Sequence, residues 1–338
     1  MSEQSRQQVV LSSRVRLARN FPDLPFDSAA HAENAGECIR RTAGALAKSG
    51  DDKGFSLIRL HDLSDVERRV LCERHLISSD LLRAPENAAV LLHEDAAVSI
   101  MINEEDHLRI QAICPGMDVE KAAAACFRAD DALSRQTAFA FDEQLGYLTA
   151  SPTNTGTGMR ASLLVHLPMV TRLKQMGSVG QIVAMVGLTI HGVYGEQNEA
   201  LGHVYQISNQ SSLGRSEDEI ISAVTAAGCQ LMDMELKLRE KALSGSRATT
   251  EDCIWRAWGI LSNARLIGLR EFFKLWSDVR MGAAMGMLPV TLDAVNQLLD
   301  QAQDAHLQAY AEKPLDADAL CQLRAERVRT MLAAGPIA

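Results

Sequence analysis

The chain has 338 residues, of which 47% are hydrophobic, and its formal net charge is -9. This length suits one large or two modest domains, and the apolar content is sufficient for a substantial core. The negative charge argues against a general binder of nucleic acid or of anionic membranes, because such surfaces are normally basic.

The cysteines and the apolar segments indicate the compartment. The seven cysteines are scattered and contain no C-x-x-C pair, which fits free thiols in a reducing cytosol better than disulfides or a zinc site. The polar start MSEQSRQQ is unlike a signal peptide. The most apolar region, Val179 to Val193, is too short and too polar to span a bilayer. We therefore expect a cytoplasmic protein with no membrane segment and no metal site of histidines and cysteines.

In the first two thirds of the chain, short β-rich runs alternate with helical patterns. Val10–Leu17 is a strand candidate, and VLLHEDAAVSIMI indicates a hairpin that turns at Glu94 and Asp95. Helical patterns cover His31–Ala47 and Asp118–Ala140. Further strand candidates are FSLIRL (55–60), AAVLLH (88–93), AVSIMI (97–102), LRIQAI (108–113), VGLTIHGVY (186–194) and HVYQISN (203–209). The alternation predicts an α/β or α+β domain with a mixed or antiparallel sheet.

The last third of the chain is predicted to be helical. Ser216 and Glu219 form a capping-box pattern, and an apolar helical face continues from there. SGSRATT (244–250) is the best candidate linker, so we expect one domain at 1–245 and a helical domain at 251–338. Amphipathic patterns there are Trp255–Ile267, Arg270–Met281, Leu292–Tyr310 and Asp318–Leu332.

The segment SSRVRLAR places two arginines on one face of the first strand candidate. Side chains alternate along a strand, so Arg14 and Arg16 would be neighbours that repel each other. Such a pair is costly unless an anion or carboxylates lie between the two groups. A phosphate chain suits two adjacent guanidinium forks, whereas the alternative is a solvated edge face.

Two acidic segments are also candidates for a metal, catalytic or substrate-binding site. NEEDHLRIQ groups three carboxylates before Arg109, and such a cluster at a strand end can bind a metal, act as a base or bind a cationic substrate. HGVYGEQ puts Glu196 in a loop flanked by glycines. In both segments the alternative is a charged surface turn.

The loop TNTGTGMR matches neither G-x-x-x-x-G-K-[ST] nor G-x-G-x-x-G. Gly156 and Gly158 still permit a positive φ and would bring backbone N–H groups near an anion. The apolar run Leu163–Val170 that follows is a helix candidate, whose N-terminus would favour negative charge.

Five segments, taken together in chain order, resemble the ATP:guanidino phosphotransferases, the superfamily of arginine and creatine kinases. These segments are SSRVRLARN, NEEDHLRIQ, GYLTASPTNTGTGMRAS, HGVYGE and YQISNQSSLGRSE. Within this superfamily, the similarity is greatest to the bacterial protein-arginine kinase branch. It rests on four segments: residues 74–78, NEEDH, ISNQ and LGRSE. The resemblance implies an α+β phosphagen-kinase catalytic domain, with an antiparallel or mixed sheet flanked by helices and a glutamine-synthetase-like fold. An all-helical C-terminal domain would follow it.

The resemblance also implies site residues. The phosphates of ATP would be held by four arginines: Arg14, Arg16, Arg109 and Arg160. Glu105 and Glu196 match the two carboxylates that bind the guanidinium of the acceptor arginine, and His75 matches a position at the nucleotide site. Other positions matched to the ATP site are Ser12, Ser13, Val15, Ala161, Ser162, Leu163, Leu164, His191, Gly192, Val193, Tyr194, Gly195 and Glu196.

The sequence departs from the family pattern at three places. Ser151 matches a catalytic cysteine that helps to place the substrate guanidinium; serine can assist there by hydrogen bonding but cannot supply a negative charge. His191 replaces a phosphate-binding arginine, and imidazole cannot form a bidentate fork. The phosphoarginine-binding motif R-D-x-x-R-A reads Leu320–Ala325 here and lacks its first Arg-Asp. We expect that Arg324, Arg327 and Arg329 instead form an ordinary solvated helix face.

The resemblance implies that the chain uses ATP and Mg²⁺ to phosphorylate exposed arginines of proteins and so marks them for Clp-type proteolysis. Implied partners are protein substrates, an activator protein, a Clp protease or chaperone, and a second copy in a homodimer. Two alternatives stay open: a degenerate kinase that binds ATP or arginine-bearing partners without efficient turnover, and a phosphagen kinase acting on free guanidines.

Overall fold

The computed structural model of the protein describes residues 7–26, 28–195 and 199–334. Within them, one antiparallel sheet has the strand order β2-β3-β4-β5-β1-β8-β10-β9. Its strands are β1 (Val10–Arg19), β2 (Phe55–Arg59), β3 (Ala89–His93), β4 (Val98–Ile102), β5 (Leu108–Pro115), β8 (Met159–His166), β9 (Leu188–Tyr194) and β10 (Ala200–Asn209). The strands β6 (Phe141–Asp142) and β7 (Gly146–Tyr147) form a separate hairpin. The predicted α+β class and the predicted hairpin of β3 and β4 are confirmed.

The described helices flank this sheet and continue after it. They are α1 (Ser28–Ser49), α2 (Asp65–Glu73), α3 (Val119–Ser134), α4 (Pro168–Arg172), α5 (Met176–Met185), α6 (Glu217–Asn263), α7 (Leu269–Ala284), α8 (Leu292–Gln301), α9 (Asp304–Ala311) and α10 (Ala317–Ala334). None of them is long and apolar enough to cross a membrane. The predicted helix Asp118–Ala140 ends earlier, at Ser134, and the predicted helix Leu292–Tyr310 is interrupted between α8 and α9.

The two faces of the sheet differ because side chains alternate along each strand. One face is apolar: Val15, Leu17 and Leu163 are fully buried there, within the core that α3 and α6 cover. The opposite face carries Arg14 and Arg16 of β1 and Arg160 of β8. The long central strands therefore separate a stabilising core from a polar surface.

The structure corrects the prediction for Leu163–Val170. Residues up to His166 belong to β8, which pairs with β1 on one side and β10 on the other, and only Pro168–Arg172 is helical. No helix N-terminus therefore follows the loop directly. The apolar run arises because β8 is a central strand that is buried along most of its length.

Two helices meet at a kink within the proposed linker. Residues 244–250 of α6 are helical except at Ser246, where φ is -145° and ψ is 46°. The capping box at the start of α6 is present as predicted, since the Ser216 hydroxyl accepts from Glu219 N at 3.2 Å and the Glu219 carboxylate accepts from Ser216 N at 2.8 Å.

The C-terminal helices share a second core and pack on the sheet. Phe272, Phe273 and Trp276 of α7 are buried in this core, which also includes Val204 of β10. Arg280 of α7 is fully buried, and its guanidinium donates to the backbone oxygens of Gln7 and Gln8 at 3.1 and 2.9 Å. These contacts hold the helical region firmly beside β1 and β10.

Candidate active site

The polar face of the sheet brings together arginines from neighbouring strands. Arg14 and Arg16 lie on the same face of β1, and Arg16 is directly opposite Arg160 of β8. Arg109 of β5 is opposite Ala18, which lies two residues beyond Arg16 on the same face of β1. The register of three strands thus assembles four arginines that are far apart in the sequence.

Strand β10 supplies partners that the sequence motifs did not reveal. Arg14 donates to the side-chain oxygen of Gln206. Arg160 donates from Nε and Nη2 to the Ser208 hydroxyl at 3.3 and 3.2 Å. The alternation in HVYQISN is consistent with a common face for Gln206 and Ser208, but only the register shows which arginines they meet.

The arginine cluster is short of negative charge. Burial, together with repulsion from Arg109 and Arg160, lowers the pKa of Arg14 to about 10. The pKa of Arg16 is also lowered, first by burial and then by Arg14, Arg109 and Arg160. Both shifts have the sign expected of guanidinium groups that are buried beside one another. The negative charge of a phosphate chain would offset this repulsion.

Two adjacent glutamates of the NEEDH segment face Arg109 differently. The side chain of Glu104 is completely buried and accepts a hydrogen bond from Arg109. The Glu105 side chain is 46% exposed, and its carboxylate oxygen lies 3.7 Å from Arg109 Nη2. Glu104 therefore neutralises and orients Arg109, whereas Glu105 is accessible to a ligand. The sequence motif alone did not distinguish these two roles.

Glu105 lines a small cleft of about 120 Å³ at one end of the arginine cluster. Arg16, Arg109 and Arg160 also line it, together with Ser151. The pKa of Glu105 is raised, chiefly because burial disfavours the carboxylate and then because Asp106 lies close by. A carboxylate with a raised pKa beside several cations is suited to bind a guanidinium and to accept its proton.

A larger cleft of about 560 Å³ lies at the other end of the cluster. Ser12 and Arg14 of β1 line it, whereas Arg16 and Ala18 line the small cleft. Alternate residues of a strand are about 7 Å apart, so the two clefts follow each other along β1. The volume of the large cleft is in the range of small-molecule sites.

His75 and Tyr194 form part of the wall of this large cleft. His75 Nε2 lies 3.1 Å from the Tyr194 hydroxyl, and the Tyr194 ring stacks on Phe273 at 4.9 Å between centroids. Burial, followed by repulsion from Arg14, lowers the pKa of His75 to about 4. The imidazole is therefore neutral near pH 7, and the wall presents aromatic surface with hydrogen-bonding groups.

The loop around Ser151 is fastened to the sheet from behind. Asp106 accepts from Ala150 N and from the side-chain amide of Asn20, both at 2.7 Å. Gly158 has a φ of +68°, and a Cβ there would lie 2.7 Å from Ala18 O. The Ser151 hydroxyl lies 2.9 Å from the Thr153 hydroxyl. The role of Gly158 is therefore to let the loop pack closely on β1. This role differs from the prediction that the glycines bring backbone N–H groups near a phosphate.

The remaining sequence-based candidates are divided among the core, the large cleft and the end of β9. The side chains of four of them are in the core beneath the sheet: Ser13, Val15, Ala161 and Leu163. Ser162, Leu164 and Val193 line the large cleft. Gly192 and Gly195 belong to β9 and to the bend after it. Glu196 lies outside the described residues.

His191 is exposed near the edge of the sheet. It pairs with Gln206 across β9 and β10, and its Nε2 lies 2.9 Å from the Thr189 hydroxyl. Strand β10 therefore separates His191 from β8, the nearest strand that carries an arginine of the cluster. His191 lines neither of the two clefts described above.

The expectation of a solvated arginine face on α10 is wrong. Arg324 is only 2% exposed and donates to Ala302 O at 2.8 Å and to Ile267 O at 2.9 Å, and it also pairs with Asp304. Arg327 lies over the Tyr310 ring at 4.1 Å, and Arg329 donates to Ala264 O. These arginines join α10 to the ends of neighbouring helices.

Comparisons with protein families agree with this geometry. Residues 37–238 match the model of the ATP:guanido phosphotransferase C-terminal catalytic domain, and residues 247–336 match that of the protein-arginine kinase McsB C-terminal domain. A protein-arginine kinase of Syntrophomonas wolfei is 41% identical over 98% of this chain and 93% of its own length. One from Moorella thermoacetica is 42% identical over 96% of this chain and 94% of its own length.

Solved structures show the same fold. The crystal structure of a lombricine kinase superposes with a TM-score of 0.61 at 26% identity, covering 70% of this chain and 68% of that chain. A duplicated taurocyamine kinase from Schistosoma mansoni has a TM-score of 0.63 at 22% identity, and the match covers 75% of this chain and 38% of that one.

Proposed function

The chain belongs to the ATP:guanido phosphotransferase family, and on that premise we propose that it transfers the γ-phosphoryl group of ATP to arginine side chains of proteins. The observation that carries the proposal is the small cleft, where Glu105 faces Arg16, Arg109 and Arg160. Its position next to a cleft of nucleotide size supports the same reaction. The protein acceptor is inferred from the protein-arginine kinases to which the chain is similar.

In the proposed mechanism, the arginines of the sheet hold the triphosphate. Arg14 and Arg16 bind the chain of phosphates, and Arg109 and Arg160 stabilise the charge that develops on the transferred group. Phosphoryl transfer requires mainly positioning and electrostatic stabilisation, which a preformed cluster of cations provides. Burial and then mutual repulsion lower the pKa values of Arg14 and Arg16, and the negative charge of a bound phosphate would oppose both effects.

Glu105 acts on the acceptor. A guanidinium has a pKa above about 12 and is a poor nucleophile while protonated. The Glu105 carboxylate binds it, orients one nitrogen towards the γ-phosphorus and accepts its proton as the P–N bond forms. The bond from phosphorus to the bridging oxygen of ADP breaks, and ADP leaves with that electron pair. Glu196 is the second carboxylate of the proposal.

The nucleotide itself would carry Mg²⁺. The described residues contain no group of three or more His, Cys, Asp or Glu side chains that could hold a metal. Mg²⁺ commonly binds through substrate phosphates and retains several waters, so this arginine-lined site fits an ion that arrives with ATP. Such an ion neutralises phosphate charge.

We also propose the broader setting that the resemblance implies. It comprises domains at 1–245 and 251–338, a cytoplasmic homodimer, an activator protein and delivery of the product to a Clp protease or chaperone. The separate family matches at 37–238 and 247–336 support the division of the chain.

A second candidate function is binding of ATP or of arginine-bearing partners without efficient turnover. It is favoured by Ser151 in the small cleft and by His191 at the position of a phosphate-binding arginine. A single assay distinguishes the two functions. The purified protein is incubated with ATP, Mg²⁺ and a disordered arginine-rich protein, and phosphoarginine is sought by mass spectrometry under conditions that avoid acid.

We expect phosphate on arginines of the protein, with none in a control without ATP. Binding of ATP without any label would reject the enzymatic proposal and favour the second function. Label on free arginine but not on protein would identify a kinase for free guanidines.

A further inference from the structure

The large cleft has a second wall that comes from the C-terminal helical region. The sheet provides one wall through β1, β8, β9 and β10, and α8 provides residues opposite it. The side chains of α8 that line the cleft are Asp293, Asn296, Gln297, Leu299 and Asp300. Residues at spacings of three, four and seven lie on one face of a helix, so the polar members form a continuous stripe.

Asn296 is the most precisely oriented group of this wall. Its side-chain oxygen accepts from Arg280 Nε at 2.8 Å. A guanidinium has only donors, so the oxygen of the amide must face Arg280 and its nitrogen must point away from it. Arg280 is fully buried and is tied to backbone oxygens near the start of β1. Asn296 therefore offers N–H donors to the cleft from a fixed position.

Asp293 and Asp300 add acceptors on either side of Asn296. Burial raises the pKa of Asp300 above its usual value, while His306 and Arg74 oppose this effect and Glu73 adds to it. On the opposite wall, Leu164 and Val193 present apolar surface. The cleft thus combines flat apolar contact with donors and acceptors, which are what a base and a ribose require.

The wall is held in place independently of any ligand. Glu73 at the end of α2 accepts from Ala305 N and His306 N at 2.9 and 3.1 Å, at the start of α9. Its carboxylate also contacts His306 Nδ1 at 2.7 Å. Glu73 is adjacent in sequence to Arg74, another residue of the cleft. The helical region is thereby joined to the segment that carries His75.

From these contacts we propose that α8 binds the nucleoside end of the nucleotide, with Asn296 as a specificity-determining donor. The inference rests on the proposed function, because it takes the phosphates to lie along Arg14 and Arg16. The base and ribose then occupy the large cleft, between the sheet and α8. The C-terminal helical region is consequently part of the nucleotide site.

The test compares ADP with inorganic pyrophosphate, each with Mg²⁺, by isothermal titration calorimetry. Asn296→Asp keeps the oxygen that accepts from Arg280 and replaces the donor end with an acceptor. We expect the affinity for ADP to fall about tenfold, as for one lost hydrogen bond together with an unfavourable contact. The affinity for pyrophosphate, which has no nucleoside, should stay within about twofold of the unmodified protein, because that change is small on the scale of one hydrogen bond.

Asn263→Asp is the matched control, since Asn263 is exposed at the end of α6 and does not line the cleft. It should leave both affinities unchanged. Asp300→Asn removes a charge at the other end of the stripe with little change of shape. It should also weaken ADP selectively, so the test does not depend on the folding of one variant.

Unchanged ADP affinity in both cleft variants would overturn the inference, as would an equal loss for ADP and pyrophosphate. Equal affinity of the unmodified protein for the two ligands, after allowance for charge, would also count against it. Failure of the unmodified protein to bind either ligand would instead reject the proposed function.

Discussion

Replacing Glu105 with glutamine removes the carboxylate that faces the small cleft and preserves its size. Two effects are lost together: the ionic hydrogen bond to the acceptor guanidinium and the site that accepts its proton. A hydrogen bond to a charged group contributes about 1.5–3 kcal/mol, and general base catalysis contributes roughly 10²–10⁴-fold. Because both act on the same step, we expect kcat to fall at least about 10²-fold.

Nucleotide affinity should change little in this variant. Glu105 contacts Arg109 at 3.7 Å, a long distance for an ion pair, and the buried Glu104 continues to orient that arginine. ADP binding should therefore be retained or slightly tighter, because one negative charge near the phosphates is gone.

The assay is the initial rate of phosphoarginine formation on a disordered arginine-rich protein, together with calorimetric ADP binding. Glu86→Gln is the matched control, since Glu86 is exposed and lines neither cleft. A Glu105→Gln variant with nearly full kcat would refute the role of this carboxylate. A large loss of ADP binding would show that Glu105 shapes the phosphate site instead.

Three further predictions use the same structure. Because burial raises the pKa of Glu105, kcat should fall as the pH is lowered through that raised value, and a pH profile without this limb would contradict the base role. His191→Arg should raise kcat about tenfold or more by adding a fork near the phosphates, and no change would mean that another group has this role. Arg324→Ala should destabilise the protein by about 2–5 kcal/mol in denaturant unfolding, because two buried carbonyls lose their donor, whereas Arg327→Ala should cost much less.

Much of the sheet was predictable, because the alternation of apolar and polar side chains along a strand can be recognised within a short segment. The hairpin of β3 and β4 and the strands β5 and β10 lie close to their predicted bounds. Strand β8 was not distinguished from a helix, since a central strand is apolar along its length and loses the period of two. The break between α8 and α9 was also missed, because the first N–H groups of α9 are bound by Glu73 of the distant α2 and not by a side chain of the local pattern.

The candidate site was predictable where it depends on spacing within one segment. The common face of Arg14 and Arg16 follows from the geometry of a strand. Their partners Gln206 and Ser208 required the pairing of β8 with β10, which the sequence does not specify. Likewise, Glu104 and Glu105 differ only through burial, and burial depends on the elements packed around them.

Long-range contacts explain the remaining differences. Arg324 looked like a surface residue because α10 carries several charges, but its guanidinium binds carbonyl groups at Ile267 and Ala302, where other helices begin or end. Asn296 carries no motif and became significant only when α8 was found opposite the sheet. Buried polar groups of this kind are recognised from their partners.

The most direct test of the account is ³¹P NMR of a single turnover, with enzyme in excess over ATP and an unfolded arginine-rich protein as acceptor. We expect the γ-phosphate signal of ATP to be replaced by a phosphoramidate P–N signal on that protein, and we expect Glu105→Gln to prevent its formation. Appearance of the γ-phosphate only as inorganic phosphate, or as a phosphate ester on a hydroxyl side chain, would contradict the account.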